Sequence, residues 1–149
     1  MKKFNFPLNT VLNYKDQVLD NLKSEHAQIV DKMVRQEQKV EELSDRRNDA
    51  CTRFKAEIGK GIAVNMMKEY ETYITFMQKK IITEQGVLQK LQRKEEQKRE
   101  EVVEARKEVV SIEKLKEKKL LQYNKEVLRS EELFIDEFVS NTTSVHGSR

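Results

Sequence analysis

Ile58-Gly59-Lys60-Gly61-Ile62 is the stretch whose reading sets the fold, because it holds two of the chain's four glycines. Toward the N-terminus no Gly or Pro interrupts the chain between Leu8 and Ile58. Toward the C-terminus only Gly86 does so between Ile62 and Val139. One Gly inside a long helix costs about 1 kcal/mol and does not end it. A Gly at a helix end supplies the left-handed conformation that stops the helix and lets the chain reverse. The expected plan is a lead-in over residues 1–7, a first helix over 8–58, a turn at 59–61 and a second helix over 62–139. Pro7 suits a first helical turn, where its missing N–H has no partner to lose, and Asn5 can cap it. Residues 140–149 are small and polar and are expected to be disordered.

Outward from the turn, both arms carry a heptad rhythm. Alternating steps of four and three from Leu8 reach Glu57 through fifteen positions, ten of them apolar. The same stepping from Met67 reaches Ile112 through fourteen positions, eleven of them apolar. A 3.5-residue repeat sustained over such a length is the seam of a left-handed coiled coil. The fold class is therefore all-α: a long two-helix antiparallel coiled-coil hairpin, with facing residue numbers adding to about 120. Beyond Ile112 the rhythm slips, which implies a stutter and a changed partner surface.

The two arms are unequal. At about 1.5 Å per residue the first helix extends ~75 Å and the second ~115 Å. The second helix should overhang from about residue 115, where Leu115, Leu120, Leu121, Tyr123, Val127, Leu128, Phe134, Ile135 and Phe138 follow one another. Each large apolar side chain gains roughly 1.5–3 kcal/mol on full burial, which a lone helix cannot supply. The overhang should therefore have a partner, or fold back on Phe4 and Phe6.

Composition narrows the function classes. The 149 residues are 37% charged and 37% hydrophobic, with one Cys and no Trp, so a thick multilayer core is not expected. One Cys makes neither a disulfide framework nor a Cys-rich zinc site, and His26 lies far from His146. No run approaches the ~18 apolar residues of a membrane span. Met1-Lys2-Lys3 is followed by no apolar core, so no secretory signal is expected and a cytoplasmic setting is the default. Twenty-nine basic residues are interleaved with 26 acidic ones, which argues against nucleic acid as a partner. A hairpin offers no concave site for convergent groups. His26 reads as a tolerated polar seam residue, Cys51 as an inert thiol, and Gly59-Lys60-Gly61 lacks the phosphate-loop pattern. No catalysis, cofactor or metal is expected.

Two local patterns go further. Phe4-Asn5-Phe6-Pro7-Leu8-Asn9-Thr10-Val11-Leu12-Asn13-Tyr14-Lys15 resembles the F-x-F/L-x-x-[VL]-L-x-[LY]-[KR] opening of the flagellar FliJ family. Gly61 to Ile74, with Met67, Tyr70, Tyr73 and Ile74 in register, is similar to that family's G-[IM]-x-x-x-x-[LMW]-x-x-Y-x-x-[FY]-[IVL] signature. The resemblance implies a non-enzymatic stalk of the bacterial flagellar type III export apparatus, similar in shape to the central stalk of rotary ATP synthases. It implies that the open end of the hairpin enters the export ATPase ring, that a face near the turn meets the membrane export gate, and that export chaperones are further partners. Carried onto this chain, the ATPase-facing residues would be Phe4, Phe6, Leu8, Leu12, Leu120, Tyr123, Val127, Phe134 and Phe138. The gate-facing residues would be Tyr70, Tyr73 and Met77, with Leu43 opposite. Lys80 and Glu84 stand where family members often carry apolar or neutral groups. The protein would sit peripherally at the inner face of the membrane. The competing expectations are a virulence-type secretion stalk and a structural tether that self-associates through its C-terminal segment.

Overall fold

The structure, a computed structural model, describes residues 2–147, the side chain of His146 excepted. Helix α1 spans Asn9–Lys60 and helix α2 spans Val64–His146, 52 and 83 residues long. The fold is the all-α, two-helix coiled-coil hairpin, and no strand occurs among the described residues. The chain divides into two compact units, Asp20–Val103 and Met1–Leu19 with Glu104–Arg149.

In the first of these, Asp20–Val103, the reversal falls at residues 61–63. Gly59 stays helical, and only Gly61 takes a positive φ, +80°. Its N–H donates to the Ile58 carbonyl at 3.1 Å, satisfying one of the carbonyls that a helix end leaves open. The Ala63 carbonyl then accepts from Met66 and Met67, starting α2. Every position of the two heptad series inside this unit is buried or half-buried. Leu43, Met77 and Ile81 form its buried cluster.

The polar seam positions His26, Gln36, Arg47, Glu84, Glu95 and Lys98 have partners across it. The Gln36 amide donates to both the Glu84 carbonyl, at 2.9 Å, and the Glu84 carboxylate. His26 Nε2 lies 3.0 Å from Glu95 Oε1. Arg47 donates to Gln78 Oε1 at 2.6 Å, and Lys98 pairs with Glu25 at 2.9 Å. Gln36 with Glu84 adds to 120 and His26 with Glu95 to 121, the spacing that the turn predicts. Exposed ion pairs contribute about 0–1 kcal/mol each, so the apolar stripe stabilises the pairing while these polar partners select its register. The stretch Gln92–Glu101, which holds no apolar residue, is tied across the seam by Glu95 and Lys98.

In the other unit, Leu12, Leu19 and Val109 are buried, and Lys15 meets Glu108 at 2.6 Å. Pro7 lies in a turn ahead of α1 rather than inside its first turn; the Asn9 N–H donates to the Phe6 carbonyl at 3.1 Å. The lead-in lies along α2. Phe6 is buried, the Phe4 ring sits 5.5 Å from that of Tyr123, and Tyr123 Oη donates to the Lys2 carbonyl at 2.8 Å. Lys116 donates to Asn9 Oδ1 at 3.1 Å. Past Ile112 the covered positions are Lys116, Tyr123 and Val127, with Leu120 at the edge of exposure between the first two. Two consecutive four-residue steps, 112 to 116 to 120, are the stutter.

Two expectations are corrected here. The uncovered part of α2 begins at Leu128 rather than near residue 115, because the lead-in packs as far as Tyr123. The run expected to be disordered is helical through His146; Ser148 and Arg149 lie outside the described residues. Thr142, Thr143 and Ser144 each donate a hydroxyl hydrogen bond to a carbonyl one turn earlier, which satisfies these hydroxyls within a helical backbone.

Candidate functional site

One candidate surface lies in each unit. In Met1–Leu19 with Glu104–Arg149, the nine residues expected to face an ATPase separate into two groups. Phe6 and Leu12 are buried, and Phe4, Tyr123 and Val127 are half-buried. Leu8 and Leu120 stand at the edge of exposure. Phe134 and Phe138 are bare, 69% and 65% exposed. Phe4 and Tyr123 hold the lead-in against α2, and Phe134 and Phe138 are the most open of the nine.

The bare segment has a defined character. Leu128, Leu133, Phe134, Ile135, Phe138, Val139 and Val145 are all more than half exposed. From Ser130 to Gly147 it carries Glu131, Glu132, Asp136 and Glu137 and no Lys or Arg. At about 100° per residue, Leu120, Val127, Phe134 and Phe138 fall on one stripe, the continuation of the hairpin seam. Leu121, Leu128, Ile135 and Val139 fall on a second stripe about 100° away. A groove of about 440 Å3 follows the first stripe around Val127, Ser130, Glu131, Phe134 and Ile135, and its opening toward an acidic rim suits an apolar partner bordered by basic groups.

In Asp20–Val103 the four residues expected to face the gate do not form one surface. Leu43 and Met77 are in the buried cluster, facing each other across the seam. Tyr70 is half-buried, its ring 5.3 Å from that of Phe54. Tyr73 is 45% exposed. Beside it lie Met66 and Phe76, both exposed and both missed by heptad reasoning. An apolar residue off the seam must point outward, and that was the available signal. Tyr70 and Tyr73 line a groove of about 430 Å3 with Met66, Arg46, Asp49 and Arg53, so its wall is aromatic and its rim carries both charges.

Electrostatics along the seam are local. The Glu108 carboxylate hydrogen-bonds Lys15 and attracts it, holding its pKa above the ordinary lysine value. The hydrogen bonds that Lys98 donates to Glu25 and then to Glu101 do the same for its ammonium. The Gln36 amide, then the Lys39 ammonium, hold Glu84 below the ordinary carboxylate value. Among the described residues no group of His, Cys, Asp and Glu is arranged to hold a metal. Cys51 is a half-buried free thiol. Among the described residues no helix is long and apolar enough to cross a membrane.

The arrangement, then, is a seam closed by its own side chains and two surfaces left for other molecules. A family model described as "Flagellar FliJ protein" matches residues 4–148, which covers both surfaces and nearly the whole chain. The chain belongs to the FliJ family. It is accordingly a component of the flagellar protein export apparatus, in a family of structural and adaptor proteins. The residues that carried the resemblance, Phe4 to Lys15 and Gly61 to Ile74, hold the lead-in clamp and the turn of this FliJ-family chain. No curated protein and no solved structure matches the chain significantly.

Proposed function

We propose that this FliJ-family chain is the non-enzymatic stalk of the flagellar export ATPase. In this reading the bare end of α2, centred on Phe134 and Phe138, docks in the ATPase ring. The lead-in residues Phe4 and Phe6, the neighbouring Leu8 and Leu12, and Tyr123 and Val127 hold α2 in place for that contact. The exposed face of Tyr73, flanked by Met66 and Phe76, meets the membrane export gate and brings the protein to the inner face of the membrane. Export chaperones are further partners. A single asymmetric helix end in a ring touches unlike subunit states at one time, and differential contact lets it bias the hydrolysis cycle without doing chemistry itself.

The observation that carries this reading is the helical segment from Leu128 onward, whose large apolar side chains are more than half exposed among the described residues. Contiguous exposed apolar surface of this kind marks an interaction site. The flagellar family assignment favours the flagellar ATPase over a virulence-type one.

The test uses the full chain with Phe134→Ala and Phe138→Ala together. Both side chains are bare, so helicity and melting should be preserved while stimulation of a purified flagellar export ATPase is lost. Stimulation equal to that of the unaltered chain would overturn the docking assignment. A cut after Glu113 would be less telling, because it removes Tyr123 and with it the support of Phe4 and the Lys2 carbonyl.

A further inference from the structure

The second stripe of the bare segment is open along its whole length, whereas Val127 on the first is half-buried. Leu121, Leu128 and Ile135 recur every seven residues, Val139 follows four later, and all four are more than half exposed. A stripe that repeats every seven residues can lie along a second helix as a coiled-coil seam does, and among the described residues no second helix lies along this one. The lead-in covers Tyr123, which lies on the other stripe.

Charge is divided about this seam. From Glu113 to Arg129 there are six basic residues, Lys114, Lys116, Lys118, Lys119, Lys125 and Arg129, against three acidic ones. From Ser130 to Gly147 there are four acidic residues and no Lys or Arg. Leu128 sits at the boundary. A segment that is basic before a midpoint and acidic after it is complementary to itself when reversed.

We propose that the free chain forms an antiparallel homodimer through this stripe, with Leu128 on the two-fold axis. In that register Leu128 meets Leu128 of the second copy and Leu121 meets Ile135 of the second copy, twice by symmetry. The seam positions between these layers are Lys125 and Glu132, and they meet each other, also twice. A parallel pair would instead set Lys125 against Lys125 and Glu132 against Glu132, and like charges in adjacent copies are repelled. The alternation of Leu, Lys, Leu, Glu and Ile along one stripe thus selects the antiparallel arrangement. The pairing covers the Leu128 stripe and leaves the Phe134 stripe about 100° away, so it stands apart from the ATPase reading and either can fail without the other.

The experiment is sedimentation equilibrium of the full chain through the micromolar range at low salt. The unaltered protein should show a concentration-dependent monomer–dimer equilibrium that weakens as salt rises. Leu128→Asp should leave the chain monomeric with helicity unchanged, since the side chain is bare in the single copy. Lys125→Glu alone and Glu132→Lys alone should each weaken dimerisation about tenfold or more, by placing like charges opposite each other. Mixing these two variants in equal amounts should restore it. The mixed pair sets the two introduced side chains, opposite in charge, against each other and keeps the native Lys125–Glu132 pair on the other side of the axis. A chain that stays monomeric, a dimer indifferent to Leu128→Asp, or a mixture that fails to recover would each overturn the proposal.

Discussion

Met77 and Tyr73 lie one helical turn apart, and the family resemblance places both on a gate-facing surface. The structure separates them: Met77 is 4% exposed and packs with Leu43 and Ile81, whereas Tyr73 is 45% exposed. Met77→Ala should therefore act on stability. Truncating a buried Met, Leu or Ile to Ala costs about 2–5 kcal/mol, and the spread reflects how far the site can collapse. A seam between two helices has one facing layer and open flanks, so neighbours and water can close part of the space. The lower part of that range, about 2–3 kcal/mol, applies here. For a chain of this size each kcal/mol moves the melting midpoint by about 2–4 °C, so Met77→Ala should lower it by about 4–12 °C. Tyr73→Ala should lower it by no more than about 2 °C, in keeping with the ±0.5 kcal/mol typical of surface changes. Helical circular dichroism followed against temperature measures both. Ile81→Ala, at 2% exposure, should behave like Met77→Ala. Equal midpoints for Met77→Ala and Tyr73→Ala would refute the assignment of Met77 to the core, and with it the division between seam and surface.

The two central glycines should respond oppositely to Ala. A Cβ on Gly86 meets nothing within 4 Å in a helical backbone, so Gly86→Ala should stabilise by about 0.5–1 kcal/mol in a denaturant titration; Gly61→Ala, forced to φ +80°, should destabilise by about 1–2 kcal/mol. Glu84, held below the ordinary carboxylate value by Gln36 and Lys39, stabilises the fold above that value, and the contribution is lost as pH falls through its lowered folded pKa. Lys80 also acts on it, in the same direction. The melting midpoint should therefore decline on acidification, and Glu84→Gln should make that decline shallower; an unchanged acid limb in Glu84→Gln would remove the pair from the account. Lys15 and Lys98, raised above the ordinary lysine value, keep their contributions until the pH rises through their folded pKa values, so they add no slope near neutrality.

How much of the molecule was readable beforehand differs from place to place. The hairpin was, because a heptad stepped from Leu8 and from Met67 needs only chain order and the 3.6-residue turn, and two glycines suffice to mark a reversal. The pairing of Gln36 with Glu84 and His26 with Glu95 follows from the position of that reversal. The lead-in was readable only in part: a fold-back between the overhang and Phe4 and Phe6 was one of the expectations, but nothing local in Phe4-Asn5-Phe6 says that Tyr123 and the space beside Lys116 will receive it. The role of Tyr70, stacked on Phe54, depended in the same way on which arm came alongside it.

By itself, then, the sequence determined that two long helices pair antiparallel and that the second outruns the first, since periodicity and breakers act along the chain. Only the tertiary structure decided where the cover ends. Phe6 and Leu12 turned inward and Phe134 and Phe138 stayed bare because burial depends on which side chains the reversal brings within reach, and the lead-in reaches Tyr123 but not the helix past Leu128.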